Sequence, residues 1–282
     1  MIFWIASYPK SGNTWLRALL ATYYFSEDGI FNQSLLPYIN QFPQKIYFEN
    51  FKYNPKNITD TSNFWIKAQE IINLDKKIKF FKTHNILGSI NGNNFTNQKN
   101  TIGGIYILRD PRNIITSIKN HYEINYDEAF NFMINEKKFI YNPFKKNDFS
   151  DFQFISSWEK NYQSWINQKL FPVKIIKYED LQKNNFDIFE NLIQFINQIC
   201  NLENNINKIK LKNSIETTSF SKLKDLEKKN GFAESILSKS QNKKIPFFNM
   251  GVENNWKKIF NIEMQNKLNS QFKNNLKELN YI

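Results

Sequence analysis

A short polar turn between an apolar strand and an apolar helix, close to the start of the chain, constrains the fold more than any other stretch. Residues 1–6 are apolar throughout, as in a buried parallel strand, and they lead into the turn Ser-Tyr-Pro-Lys-Ser-Gly at 7–12. From Thr14, apolar residues recur at helical spacing. The backbone N–H groups of the turn, the helix dipole and the charge of Lys10 meet at one point. We therefore expect residues 10–14, called the anion loop, to bind a phosphate-like group.

Strand and helix patterns alternate along the rest of the chain. Apolar runs predict further strands at 78–84, 102–108 and 171–178. Amphipathic patterns predict helices at 111–122, 151–165, 186–199, 208–229 with a break near 217–220, and 256–279. This alternation predicts an α/β fold, in which one domain over 1–282 has a mainly parallel central sheet flanked by helices in a P-loop-NTPase-like arrangement. Ligands of such folds bind at the carboxyl ends of the strands, where Lys10, His84, Arg109 and Tyr178 are predicted to lie.

The chain carries a large positive charge. Its 38 Lys and Arg residues exceed its 26 Asp and Glu residues by 12, which favours anionic partners such as nucleotides, sulfated substrates, nucleic acid or an acidic membrane surface. The charge does not choose among these partners. Lys-rich stretches such as 208–229 are more typical of solvated helix faces than of binding patches.

The cysteine and histidine content argues against disulfide and metal chemistry. The single cysteine, Cys200, cannot form an internal disulfide, and its apolar neighbours predict a buried thiol. With one cysteine and two histidines, we expect no transition-metal site. Residues 1–5 are too short for the core of a signal peptide, and no apolar run reaches the ~20 residues that span a bilayer. We expect a cytoplasmic protein without stable insertion in a membrane.

The anion loop differs from the phosphate-binding loop of ATP-hydrolysing proteins. That loop needs a Gly, four further residues, and then Gly-Lys followed by Ser or Thr, whereas here Lys10 precedes Gly12. The reordered loop can still hold a phosphate, but the sequence offers no evident partner for Mg²⁺ beside a γ-phosphate. Nucleotide binding is therefore expected, and ATP hydrolysis is not.

Five segments of the chain resemble sulfotransferases that use 3′-phosphoadenosine-5′-phosphosulfate (PAPS). The first is the run Tyr8-Pro9-Lys10-Ser11-Gly12-Asn13-Thr14-Trp15, which is similar to the 5′-phosphosulfate loop of that family. Four more follow in the family's order: Lys82-Thr83-His84, the pair Arg109 and Ser117, Tyr178-Glu179-Asp180-Leu181, and Thr218-Ser219-Phe220. One short motif would be weak support, but five in order over residues 8–220 make the resemblance specific.

The resemblance implies catalytic roles for four residues. His84 is expected to take the proton of an acceptor hydroxyl, since a histidine titrates near neutral pH. Lys10 is expected to stabilise charge on the departing 5′-phosphate, and Lys82 charge on the sulfuryl oxygens. Ser117, by resemblance alone, restrains Lys10 until substrate is bound. The second histidine, His121, lies two turns along a helix and is expected to pack or to face solvent.

The resemblance also implies a nucleotide site. The residues expected to form it are Lys10, Ser11, Gly12, Asn13, Thr14, Trp15, Arg109, Ser117, Tyr178, Thr218, Phe220 and Gly251. Arg109 can hold the 3′-phosphate with two parallel hydrogen bonds. Trp15 and Phe220 resemble the aromatic pair that sandwiches adenine, and Tyr178 resembles a hydrogen-bonding partner of the base.

The chain departs from the family near its C-terminus. The family commonly has Arg-Lys-Gly with its Gly five residues before a Trp, whereas here Asn249 and Met250 precede Gly251, which is five residues before Trp256. The usual basic contacts with the 3′-phosphate are therefore missing at this point. The same loop offers three candidate replacements: Lys239, Lys243 and Lys244.

The sequence thus predicts a sulfotransferase that moves the sulfuryl group of PAPS by in-line displacement, without a metal, and releases adenosine 3′,5′-bisphosphate. An ATP-dependent phosphoryl transferase (kinase) and a basic nucleic-acid-binding protein remain the alternatives, although no nucleic-acid-reading motif is present. The acceptor is expected to carry a hydroxyl or an amine, on a small molecule, a glycan or a lipid-linked glycan. Residues 30–64, 85–101 and 231–250 are expected to shape its pocket. The sequence does not predict the acceptor's identity or the oligomeric state.

Overall fold

A parallel sheet forms the centre of the molecule. The computed structural model describes residues 1–141, 147–238 and 243–282. Its strands, in chain order, are β1 (Ile2–Ser7), β2 (Asn40–Gln41), β3 (Lys79–Thr83), β4 (Ser89–Ile90), β5 (Asn93–Asn94), β6 (Thr101–Leu108), β7 (Phe139–Ile140), β8 (Gln153–Phe154) and β9 (Val173–Lys177). The central sheet has the order β2-β3-β1-β6-β9, and every neighbouring pair in it is parallel. The expected α/β class with a mainly parallel sheet is confirmed.

Helices flank this sheet. In chain order they are α1 (Asn13–Phe25), α2 (Trp65–Ile72), α3 (Pro111–Tyr122), α4 (Tyr126–Ile134), α5 (Trp158–Ile166), α6 (Tyr178–Lys183), α7 (Asn185–Cys200), α8 (Lys208–Thr217), α9 (Phe220–Asn230), α10 (Trp256–Ile259), α11 (Ile262–Gln271) and α12 (Lys273–Glu278). Short 3₁₀ turns lie at Gln33–Tyr38, Lys45–Tyr47, Asp60–Phe64 and Gly251–Glu253. Among the described residues, no helix is both long enough and apolar enough to cross a membrane.

Strand β1 contributes to two apolar cores, one on each face of the sheet. Ile2, Trp4 and Ala6 pack into one core, and Phe3 and Ile5 pack into the other. This division follows from the alternation of side chains along a strand. All five side chains are fully buried. Their burial fixes β1, and with it the start of the turn that leads into α1.

The register of the sheet brings four strand ends to one edge. Ile5 of β1 pairs with Lys82 of β3, and Ser7 of β1 pairs with Ile107 of β6. Leu108 of β6 pairs with Lys177 of β9. Because these strands are parallel, the residues that follow each of them lie at the same edge, as ligand sites of such sheets require.

Two predicted helices differ from the structure. The helix expected over 151–165 begins only at Trp158, because Gln153–Phe154 pairs with Phe139–Ile140 as a strand and the Ser157 side chain caps the helix. The last helix, expected over 256–279, is three helices, of which α11 begins at the cap Asn261. The break near 217–220 is confirmed between α8 and α9.

Candidate active site

A cleft of about 760 Å³ opens at the carboxyl edge of the sheet. Most of the predicted site residues line it: Lys10, Gly12, Asn13, Thr14, Trp15, Lys82, His84, Arg109, Ser117, Tyr178, Phe220 and Gly251. Two do not. Ser11 is buried beneath the loop, and the Thr218 hydroxyl donates to the Ser214 carbonyl at 2.6 Å within its own helix.

The anion loop is held in shape by its neighbours. Gly12 has a φ of +98°, and a Cβ placed there would lie 2.5 Å from the Tyr178 ring, so the position needs glycine. The Asn13 side chain donates to the Ile5 carbonyl at 2.9 Å, which ties the start of α1 to β1. Arg109 Nη1 donates to the Lys10 carbonyl at 2.9 Å. The loop is thus preformed, with the first turn of α1 facing the cleft.

His84 has a defined tautomer. Its Nδ1 lies 2.8 Å from the Ser7 carbonyl oxygen, which can only accept, so Nδ1 carries the proton and Nε2 is free to accept one. Its backbone N–H donates to Gln153 Oε1 at 2.7 Å. Burial, and next the positive charge of Lys82, lower the pKa of His84 to about 4. His84 is therefore a neutral imidazole at pH 7, the form that a general base requires.

Glu234, which sequence reasoning missed, lies among the cations of the cleft. Its Oε1 is 2.5 Å from Arg17 Nη1 and 2.6 Å from Lys82 Nζ, and its Oε2 accepts from the Thr14 hydroxyl at 2.6 Å. Burial alone would raise the pKa of Glu234, but Lys82 and Arg17 hold it well below the usual value. Glu234 is therefore a partly buried carboxylate that contacts both the anion loop and β3.

The two lysines of the cleft are cations in a dry setting. Lys10 Nζ lies 3.9 Å from the centre of the Phe247 ring, a cation–π contact. Burial lowers the pKa of Lys10 to about 8, with Glu234 opposing the shift. Burial also lowers the pKa of Lys82, again against the attraction of Glu234. With its pKa at about 8, Lys10 is mostly protonated near pH 7.

Arg109, Ser117 and Asn254 form a cluster of polar side chains in the wall of the cleft. Arg109 stacks on the Tyr178 ring at 4.3 Å, and its Nη1 lies 3.5 Å from Ser117 Oγ. Asn254 Nδ2 donates to Ser117 Oγ at 3.1 Å. Among the described residues, Ser117 makes no hydrogen bond to Lys10, so its expected restraint of Lys10 stays a prediction.

The aromatic residues meet around one end of the cleft. The Trp15 and Tyr178 rings are 5.6 Å apart, edge to face. Gly251 has a φ of +52°, and a Cβ placed there would lie 2.5 Å from the Phe220 ring. Phe220 therefore packs directly on the backbone of the 3₁₀ turn at Gly251–Glu253.

His121 is a packed side chain at the wall of the cleft. Its ring lies edge to face against Tyr122 and Phe247, with ring centres 4.9 and 6.0 Å apart. Burial, and next the charge of Lys10, lower the pKa of His121 to about 3. The expectation that this histidine packs is met, and it lines the same cleft as His84.

The lining of the rest of the cleft corrects one expectation. Residues from 30–64 and 231–250 do line it, but none from 85–101 does, although that stretch is described throughout. The pocket wall that sequence reasoning missed consists of Ile140, Tyr141, Asp151 and Gln153. Residues 140 and 153 come together only through the β7–β8 pairing, which no local sequence signal shows.

Of the candidate replacements for the missing basic contacts, the two described lysines, Lys243 and Lys244, do not line the cleft. Lys243 and Lys244 are exposed on the loop, and Lys239 lies outside the described residues. Lys224 of α9 lies next to the position where the family's basic residues are missing, because its Nζ donates to the Asn249 carbonyl at 2.9 Å.

Among the cleft residues that were not predicted from the sequence, three make polar contacts with predicted site residues: Arg17, Glu234 and Asn254. Arg17 follows Thr14 by one helical turn, a spacing that places both on one face of α1 and could have identified it. Glu234 is 220 residues from Thr14 in the chain, and its contacts arise only from the tertiary fold.

Comparison with known proteins agrees with this geometry. The family model described as "Sulfotransferase domain" matches residues 2–280. Luciferin sulfotransferase of Photinus pyralis is 25% identical over 270 residues, which cover 90% of this chain and 65% of that relative. The chain thus spans slightly less than two thirds of the length of this relative.

Solved structures with the same fold include two that are complexed with PAP. Mouse sulfotransferase SULT7A1 complexed with PAP has a TM-score of 0.58 at 19% identity, over 97% of this chain and 83% of the other. Retinol dehydratase complexed with androsterone and PAP has a TM-score of 0.58 at 16% identity, over 98% and 80% of the two chains. At these identities the structures support the fold alone.

Proposed function

Because the chain belongs to the sulfotransferase domain family, we propose that it transfers the sulfuryl group of PAPS to an acceptor hydroxyl or amine. The observation that carries the proposal is the meeting of Lys10, Lys82 and His84 in one cleft at the carboxyl edge of the sheet. The PAP bound in the two structures of the same fold supports the choice of co-substrate. We further propose that residues 1–282 act as a single domain.

Buried polar atoms without partners fit the nucleotide. Arg109 Nε and Trp15 Nε1, on two residues that line the cleft, are buried and have no hydrogen-bond partner among the described residues. Such atoms are costly unless a ligand or water satisfies them. We assign Arg109 to the 3′-phosphate, and we assign the backbone of the anion loop with the first turn of α1 to the 5′-phosphate. Trp15, Tyr178 and Phe220 are assigned to the adenine.

The residues of the cleft divide the chemical work. When bound, PAPS supplies a sulfuryl group, whose bond to the 5′-phosphate oxygen breaks as the acceptor oxygen bonds to sulfur. His84 Nε2 accepts the acceptor's proton, because Nδ1 already holds a proton against the Ser7 carbonyl. Lys10 and Lys82 stabilise the negative charge that develops as the bond to the 5′-phosphate oxygen breaks. In the proposed reaction the two lysines stabilise this negative charge without a metal ion.

The acceptor side of the cleft supports a polar hydroxyl acceptor. Asn40, Gln41 and Gln44 bring amides to this wall, with Tyr141 beside them. We propose a small molecule, a glycan or a lipid-linked glycan as the acceptor. A cytoplasmic setting is proposed as well, since the lone Cys200 is a buried free thiol.

Replacing the base tests the proposal. His84→Ala is expected to lower sulfuryl transfer from PAPS by at least about 10²-fold, the range for a lost general base. Its Kd for adenosine 3′,5′-bisphosphate should stay within about twofold, because His84 is not assigned to the nucleotide. Transfer is measured with labelled PAPS and a cell metabolite extract as the acceptor source.

The second histidine provides the matched control. His121→Gln should lower transfer far less than His84→Ala, because His121 packs in the wall and is not assigned to the proton. Full turnover by His84→Ala would refute the assignment of His84 as the general base. Nucleotide binding that requires Mg²⁺ and ignores the 3′-phosphate would instead favour a phosphoryl transferase.

A further inference from the structure

Glu234 accepts hydrogen bonds from Thr14 and Lys82, two side chains that are expected to contact the phosphosulfate group, and from Arg17. Its two carboxylate oxygens take the Thr14 hydroxyl, Arg17 Nη1 and Lys82 Nζ, all within 2.6 Å. A hydroxyl has a single proton to donate. Thr14 therefore cannot donate to a bound 5′-phosphate while it donates to Glu234.

The segment that carries Glu234 also holds Lys10. We call residues 231–238 and 243–250 the flap. Its Phe247 ring lies 3.9 Å from Lys10 Nζ, and Phe232 packs on Phe247 with ring centres 5.1 Å apart. The flap thus contacts the anion loop twice, once through a carboxylate and once through a ring.

Both arms of the flap are hydrogen-bonded to the same residue of α9. Glu227 accepts from the Ser235 hydroxyl at 2.5 Å and from the backbone N–H groups of Phe247 and Phe248 at 2.7 and 2.9 Å. Leu237 and Lys244 form an antiparallel bridge between the two arms. Glu227 therefore joins both arms, whereas Glu234 is the carboxylate that reaches into the cleft.

We propose that Glu234 is an internal ligand of the anion loop, whose carboxylate holds Thr14, Arg17 and Lys82 until the 5′-anion of the nucleotide displaces it. The inference rests on the proposed function. Two anions so close together in a buried site repel each other, so binding of the nucleotide and the inward position of Glu234 exclude each other. Nucleotide affinity is then lowered by the competition, and release of Glu234 frees Lys82 for the sulfuryl oxygens.

The test compares two nucleotides that differ only at the 5′ position. In Glu234→Gln, the amide keeps the size of the side chain but loses the charge that competes with the nucleotide. We expect its Kd for adenosine 3′,5′-bisphosphate to fall by about tenfold, since hydrogen bonds to a carboxylate are the strong ones. The Kd for adenosine 3′-monophosphate should not change, because that nucleotide places no anion on the loop. Calorimetry on the full chain measures both.

Control variants separate competition from a general effect of charge or folding. Glu263→Gln removes an exposed carboxylate of α11 and should leave both Kd values unchanged. If Glu234→Gln does not fold, Glu234→Asp replaces it, with the carboxylate withdrawn by one methylene and a smaller gain in affinity in the same direction. Unchanged or weaker binding of adenosine 3′,5′-bisphosphate by the folded variant overturns the inference.

The outcomes distinguish this inference from the proposed function. If the unmodified chain does not bind adenosine 3′,5′-bisphosphate, the proposed function falls, and inorganic pyrophosphate becomes the probe of the anion loop. A larger thermal shift with pyrophosphate in Glu234→Gln than in the unmodified chain then supports the internal ligand. An equal or absent shift overturns it.

Discussion

Burial lowers the pKa of two side chains of the cleft, with opposite consequences for their charge at pH 7. His84 has a pKa lowered to about 4, so it stays neutral and able to accept a proton. Lys10 has a pKa lowered to about 8, so it keeps its charge at pH 7 but loses it under mildly alkaline conditions. Burial disfavours the charged form of both groups. The proposed reaction needs the uncharged form of His84 and the charged form of Lys10, and pH 7 supplies both.

The basic limb of the pH–rate profile should therefore report Lys10. We expect kcat/KM for PAPS, at saturating acceptor, to fall above about pH 8, because kcat/KM reports ionisations of the free enzyme and a neutral Lys10 cannot stabilise the departing phosphate. Lys10→Arg should move this limb upward by more than one pH unit, since arginine titrates above about pH 12. The profile is measured with an acceptor that does not ionise between pH 6 and 10. A basic limb that stays in place in Lys10→Arg would assign it to another group.

Most of the residues that the sequence predicted for the site line the cleft, whereas residues that depend on distant contacts were missed. Lys10, His84 and Arg109 follow strand ends within local motifs, and the parallel sheet brings such ends together. Glu234 and Asn254 have no comparable signal. They reach the cleft from the flap and from the turn before α10, whose positions follow from packing that no short pattern encodes.

At the scale of elements, apolar periodicity located the four long strands β1, β3, β6 and β9, but not the two-residue strands or every helix boundary. Apolar periodicity does not distinguish a helix from a short strand that precedes it. The helix predicted over 151–165 was therefore wrong for the residues before Trp158. The signal that could have placed the start is Ser157, whose side chain accepts from the Lys160 N–H as an N-cap. In the same way, Asn261 marks the start of α11 inside what looked like one long helix.

The contact between the turn at Gly251–Glu253 and the start of α9 should matter for nucleotide binding. In Gly251→Ala, the added Cβ would lie 2.5 Å from Phe220, so the ring must move away from the place assigned to adenine. We expect the Kd for adenosine 3′,5′-bisphosphate to rise about fivefold, the scale of a modest packing change. Gly231→Ala is the matched control, because its φ is also positive, at +72°, but nothing lies within 4 Å of the new Cβ. Equal loss of affinity in both variants would show that backbone strain, and not Phe220, is responsible.

At the scale of the whole molecule, the cleft concentrates charge in a buried place. Lys10, Lys82 and Arg17 gather there with Glu234, and both histidines lie beside them. The chain's excess of 12 positive charges is thus partly directed to one site, although most lysines of α8 and α9 are exposed to solvent, as expected. A site for a trianionic or more highly charged nucleotide must hold these positive charges close together before the nucleotide binds. The stability of the fold then depends on the pH.

The two histidines should make the fold sensitive to mild acid. Their pKa values are lowered from 6.5 to about 4 for His84 and about 3 for His121, so between pH 6.5 and pH 4 the unfolded chain binds more protons than the folded chain. Their contribution to stability is complete above pH 6.5 and is lost as the pH falls toward these lower values. We expect the free energy of unfolding in urea to drop by about 3 kcal/mol between pH 6.5 and 4.5 because of the histidines. The double variant His84→Asn and His121→Asn should lose most of this drop and keep only the part that titrating carboxylates cause. If the double variant shows the same drop as the unmodified chain, the acid sensitivity does not come from the histidines of the cleft.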